Sequence, residues 1–170
     1  ATARSRSGEA VFGGVAVVAL GACWVVTRGQ LQHWRDTEAL FTHALRVTEN
    51  NDVAHNSLGG VRYQQGRIEE AIAHFREAVR LRPGYADAHN NLGALLDAQG
   101  ATEEAILHLR RAIELRPDYA NAHNNLGLAL LRQGRREEAA LEFEQALRIN
   151  PQHANALANL ARLRAEAGRP

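Results

Sequence analysis

Between residues 52 and 151, apolar and small positions recur in two alternating blocks, each with the spacing of one helical face. The first block reads Ala54-His55-Asn56-Ser57-Leu58-Gly59. It returns 34 residues later as Ala88-His89-Asn90-Asn91-Leu92-Gly93, and again as Ala122-His123-Asn124-Asn125-Leu126-Gly127. The second block keeps the same step. Ala71, Phe75, Ala78 and Pro83 become Ala105, Leu109, Ala112 and Pro117, then Ala139, Phe143, Ala146 and Pro151. A fixed period of this length predicts stacked units of two helices each. Gly66, Gly100 and Gly134 stop the first helix of each unit. Glu69-Glu70, Glu103-Glu104 and Glu137-Glu138 open the second, where negative charge complements the helix dipole. The prolines end it.

The period runs past both ends of this stretch. Phe41 and Ala44 stand one step before Phe75 and Ala78, which predicts the second helix of an incomplete repeat within 33–50. Full repeats follow at 52–85, 86–119 and 120–153. A lone first helix at 154–170 closes the array, with Leu157, Leu160 and Ala161 on its apolar face and Arg162, Arg164 and Glu166 elsewhere.

Leu-Gly in the first helix, then Ala, an aromatic or Leu, Ala and Pro in the second, resembles the tetratricopeptide-repeat (TPR) family closely. His55, His89 and His123 depart from it, standing where that family often has Trp. The resemblance implies an all-α fold, a right-handed helical solenoid (an α-α superhelix) whose first helices line a concave groove. It also implies a scaffold that binds a protein or an extended peptide.

Residues 1–9 form a polar stub. Residues 10–27 are 18 positions with no charged side chain, flanked by Arg4, Arg6 and Arg28, with Trp24 near one end. This is long enough to predict a transmembrane helix. Two other readings stay open. Leu20-Gly21-Ala22-Cys23 resembles a bacterial lipoprotein cleavage box, which would make Cys23 the lipidated residue. The segment also reads as a degenerate first helix of the solenoid. A membrane helix running into Trp34-Arg35-Asp36 and then TPRs resembles the C-terminal part of membrane glycosyltransferase-like proteins of the O-mannosyltransferase type. That resemblance implies a bacterial inner-membrane protein with periplasmic repeats, and catalytic residues upstream. The sequence has no Met, which points to a fragment or a processed product.

Net charge is +1, and all 20 basic residues are Arg. No basic stripe with aromatics suggests nucleic acid. Eight histidines raise a metal hypothesis. His55, His89 and His123 lie one repeat apart, however, and packed helices are about 8–10 Å apart, while zinc ligands sit about 2 Å from the ion. A metal or other cofactor is therefore not expected. His55, His89 and His123 fill a packing slot, and His74 and His108 fall on solvated outer surface. The chain carries no catalytic motif and reads as a non-enzyme.

Counting helical faces places the candidate groove at Asn56, Tyr63, Asp87, Asn90, Asn91, Asp97, Asn121, Asn124, Asn125, Leu128, Arg132 and Asn159. Asn91, Asn125 and Asn159 form a series one repeat apart, in helix middles where asparagine is unfavourable. Two readings of the series stay open. One is a row of amides that bonds the backbone of an extended peptide, resembling the asparagine ladder of O-linked N-acetylglucosamine transferases. The other is a set of bonds between adjacent helices. Self-association of the repeats is a further expectation.

Overall fold

The computed structural model of the protein describes residues 37–48 and 50–167. The hydrophobic stretch 10–27 and Cys23 lie outside them, so the expectations placed there are untouched by the fold. No helix among the described residues is long and apolar enough to cross a membrane.

The described residues form eight α-helices in an all-α solenoid: α1 (Thr37–Val47), α2 (Asp52–Gln64), α3 (Ile68–Leu81), α4 (Ala86–Ala98), α5 (Thr102–Leu115), α6 (Ala120–Arg132), α7 (Arg136–Ile149) and α8 (Ala154–Ala167). The main pairs are α2 with α3, α4 with α5 and α6 with α7. Each pair also packs on its neighbours in the chain.

Within a pair the turn is short because of glycine. Gly66, Gly100 and Gly134 have φ of 74°, 84° and 76°, the left-handed region. The following N–H groups then reach back into the first helix: Arg67 to Arg62, Ala101 to Leu96 and Arg135 to Leu130, each at 2.9 Å. That is the Schellman closure, which satisfies carbonyls the helix end would orphan. The acidic pairs occupy the first turns of α3, α5 and α7. No side chain caps these three helix starts. In α3 and α7 an arginine one turn back holds the second acid: Arg67 on Glu70 at 2.7 Å, and Arg135 on Glu138 at 2.6 Å.

A second set of glycines sets how closely the two helices of a pair meet. A Cβ on Gly59 would lie 2.7 Å from the Phe75 ring, on Gly93 2.7 Å from Leu109 Cγ, and on Gly127 2.6 Å from the Phe143 ring. The large residue of each second helix thus lies over the missing side chain of the first. Ala71, Ala78, Ala105, Ala112, Ala139 and Ala146 are fully buried beside it. Small and large residues interdigitate, which is why a chain with few aromatics still builds a dense core. The core runs on between repeats: Leu109, Leu126, Leu130, Phe143, Leu160 and Leu163 form one cluster, and Phe75, Leu92, Leu95 and Leu96 belong to another.

Candidate functional site

Six asparagines on the first helices form one hydrogen-bonded spine. The Asn91 amide donates to Asn56 Oδ1 at 3.2 Å, Asn125 to Asn90 at 3.0 Å, and Asn159 to Asn124 at 3.0 Å. Within a helix, Asn90 donates to Asn91 at 3.3 Å and Asn124 to Asn125 at 3.4 Å. At the first end, Asn56 donates to the Tyr85 hydroxyl at 3.4 Å. The spine therefore crosses α2, α4, α6 and α8 without a break. Of the two readings of the asparagine series, the bond between adjacent helices is the one present. An amide carries two N–H groups, and the spine uses one from each donor.

Burial corrects the exposed concave row expected from the sequence. Asn90, Asn124 and Asp97 are buried, at 6%, 3% and 5% exposure. Asn56, Asn91, Asn125, Asn159, Asp87 and Leu128 are half-buried, and Tyr63, Asn121 and Arg132 are exposed. Asp97 is structural: it accepts from the Thr102 hydroxyl at 3.2 Å, and Arg132 lies 3.5 Å from its carboxylate and bonds its backbone carbonyl. Burial pushes the Asp97 carboxyl above the usual range. Two more candidates are tied to the next inter-repeat turn. Arg116 grips Asp87 with two bonds, 3.0 and 2.9 Å, which holds that carboxyl low. His153 bonds Asn121 at 2.8 Å.

A cavity of about 220 Å³ opens between α2 and α4. Gly60, Tyr63, Ala94, Leu95 and Ala98 surround it, with Asn91 on one wall and Phe75 beneath. It exists because two side chains are missing. One repeat further along, Ala94 is replaced by Leu128 and Ala98 by Arg132. Leu95, Ala98 and Phe75 were not among the expected site residues. The readable signal for them was the small residue at positions 60 and 94 against leucine at 128.

The histidines also differ from expectation. His55 and His74 face each other at 3.1 Å between Nδ1 atoms, and His89 and His108 at 3.0 Å. His74 and His108 are half-buried partners rather than solvated surface. In the third repeat the partner is a carboxylate: His123 Nδ1 lies 2.7 Å from Glu142. Among the described residues no three His, Cys, Asp or Glu side chains are grouped to hold a metal ion.

Family profiles match this architecture repeat by repeat. The profile described as TPR repeat matches residues 59–100 and 96–134, and the one described as Tetratricopeptide repeat matches residues 120–153. The chain belongs to the tetratricopeptide-repeat family. No curated protein matches it. Among solved structures it is similar to MamA, with 26% identity and a TM-score of 0.68 over 75% of each chain. It is similar to YrrB, described as a TPR protein with an unusual peptide-binding site, with 26% identity and a TM-score of 0.65, over 82% of this chain and 70% of that one. The first TPR of Spaghetti (RPAP3), bound to an HSP90 peptide SRMEEVD, shares the fold at 19% identity and a TM-score of 0.67, over 72% of this chain and 97% of that one.

Proposed function

We propose that the protein is a binding scaffold that takes an extended peptide across α2, α4 and α6, with one apolar side chain of the ligand seated in the cavity beside Tyr63. The observation that carries this reading is the cavity itself. It is the place where small residues at 60, 94 and 98 leave the groove unfilled beside a polar amide. A concave apolar hole with a few placed polar groups is the common form of a binding site. The spare N–H groups of half-buried Asn91 and Asn125 supply donors for the backbone of the ligand, independent of its side chains. The solved TPR with an HSP90 peptide, and the one described by its peptide-binding site, make this class of ligand the natural one. An acidic tail such as SRMEEVD is not the expected ligand, because this chain has no lysine and its groove row is asparagine.

Residues 10–27 make the same scaffold membrane-tethered, in a bacterial inner membrane with the repeats on the periplasmic side. The accessory domain of a membrane glycosyltransferase is the alternative parent, and self-association of the repeats belongs to the same proposal. All three rest on the sequence.

The experiment is selection from a random-peptide library on the folded protein, followed by affinity measurement on Ala94→Leu. Filling the cavity should weaken the selected peptides at least about tenfold with the melting temperature held. Equal affinity for Ala94→Leu would remove the cavity from the site.

A further inference from the structure

We propose that the histidine pairs His55–His74 and His89–His108 are proton-operated latches between the helices of the first two repeats, opened by acid, while His123–Glu142 keeps the third repeat closed. The three pairs occupy the same two positions of successive repeats, one on the first helix and one on the second. Only the partner on α7 differs, and that difference reverses the response to protons.

The tautomers follow from the neighbours. His89 Nε2 lies 3.1 Å from the Pro83 carbonyl, which can only accept, so this nitrogen carries the hydrogen. In neutral His89 the Nδ1 is then an acceptor, and His108 Nδ1 donates to it across 3.0 Å. A first proton can enter at His108 Nε2, 4.0 Å from Glu104, and leave that bond intact. A second has only His89 Nδ1 left. It would set two N–H groups and two positive rings against each other at 3.0 Å, and the pair must part. His55 and His74, 3.1 Å apart, meet the same limit.

His123 has the opposite surroundings. Its Nε2 faces the Pro117 carbonyl at 3.1 Å and its Nδ1 faces Glu142 at 2.7 Å. Both neighbours accept, so both nitrogens are best protonated, and acid tightens the contact.

The charged groups around the pairs do not rescue them. Glu77, Arg80 and Glu70 of α3, Arg62 of α2 and Arg46 of α1 lie about His55 and His74. Arg111 and Glu104 of α5 and Arg76 of α3 lie about His89 and His108. Each of these carboxylates is already engaged by arginine: Glu77 by Arg80 at 2.6 Å, Glu70 by Arg67 at 2.7 Å, and Glu104 by Arg76 at 3.0 Å. About the third pair stands Arg148 of α7. In keeping with this, burial lowers the proton affinity of all four paired histidines, while Glu142 and the Pro117 carbonyl outweigh burial and raise that of His123.

The linkage has a definite sign. A histidine with lowered affinity in the fold gives stability that is present above the ordinary imidazole value and lost as pH falls. His123, with raised affinity, gives stability that is present below that value and lost as pH rises. Asp97 of α4, pushed upward by burial, gains from acid and so cannot mimic the loss.

Amide hydrogen exchange on the full chain, corrected for intrinsic rates, tests the latch between pH ~7.5 and ~5.5, around the ordinary imidazole pKa of ~6.5. Each pair that refuses one proton should lower protection of α2–α5 about tenfold over this range, relative to α6 and α7. An equal change in all three repeats would overturn the proposal. The double variant His74→Glu with His108→Glu should abolish the acid loss, and persistence of that loss would also overturn it. Glu142→His, which leaves the first two repeats untouched, should make α6 and α7 lose protection in acid. Unchanged protection there counts against the latch whatever the double variant does.

Discussion

The side-chain amide of Asn125 donates to Asn90 Oδ1 at 3.0 Å, joining α6 to α4, while Asn90 itself donates to Asn91 at 3.3 Å. Asn90 is thus both donor and acceptor at a buried position. Removing Asn125 leaves the Asn90 oxygen and the Asn124 amide short of a partner. Unmet buried polar groups cost about 1–3 kcal/mol, more than the bond itself contributes. Asn125→Ala should lower the urea midpoint accordingly. Asn90→Ala should cost at least as much, and the double variant less than the sum, because the two residues share a bond. Additive losses would mean that the spine does not act as a connected unit.

Two glycines on successive first helices, Gly60 of α2 and Gly93 of α4, should respond with opposite signs. At Gly93 a new Cβ would meet Leu109 Cγ at 2.7 Å and the Ala105 backbone oxygen at 3.0 Å, neither of which is the free end of a flexible chain. Gly93→Ala should destabilise by about 1–3 kcal/mol through overpacking. At Gly60 nothing lies within 4 Å of the added atom. Gly60→Ala should stabilise α2 by up to about 1 kcal/mol through helix propensity. Melting temperatures of the two variants, measured side by side, decide the matter. A stabilising Gly93→Ala would show that the helix pair can move apart at no cost.

These two cases also mark what a sequence can disclose. The contact at Gly93 is legible because a glycine and a large apolar partner, Phe or Leu, recur every 34 residues, so the period reports the contact. The asparagine spine was legible only as a choice between two readings. Its bonds join positions 35 apart, Asn56 with Asn91 and Asn90 with Asn125, so they connect different rows of the repeat. A count along one helical face cannot show that offset. His74 and His108 were misread for a related reason. The pattern along their own helices carries no sign of the partner, which lies 19 residues earlier on the facing helix. The cavity at Tyr63 was hardest to foresee, since it is made by side chains that are absent.

Tyr119 should show a pH dependence in alkali. Burial first, then its hydrogen bond to Asp87, pushes its hydroxyl up to about 12. Arg116, which grips Asp87, stands 4.5 Å over the same ring. The unfolded chain ionises this group near pH ~10. An acid with a raised value contributes stability that is present below ~10 and lost as pH climbs toward the folded value. Denaturation midpoints of the wild type should therefore fall more steeply through that window than those of Tyr119→Phe. Parallel curves would place the tyrosine in water.

The tether can be tested on the full chain. As a helix, residues 10–27 would measure about 27 Å, against a hydrocarbon core of about 30 Å, so a spanning segment would draw its flanking arginines to the interface. Only residues 28–36 separate it from α1, which starts at Thr37. Nine residues reach at most about 30 Å, so a spanning segment would hold the solenoid against the membrane surface. In bacterial cells the chain should stay in the membrane fraction after an alkaline carbonate wash, and a version lacking residues 1–30 should be released. Release of the full chain would end the tether. Cys23→Ser discriminates the lipid-anchored alternative, because a spanning helix is indifferent to that thiol while a lipoprotein needs it. Retention of Cys23→Ser in the membrane, together with loss of the truncated chain, assigns the anchoring to the apolar segment itself.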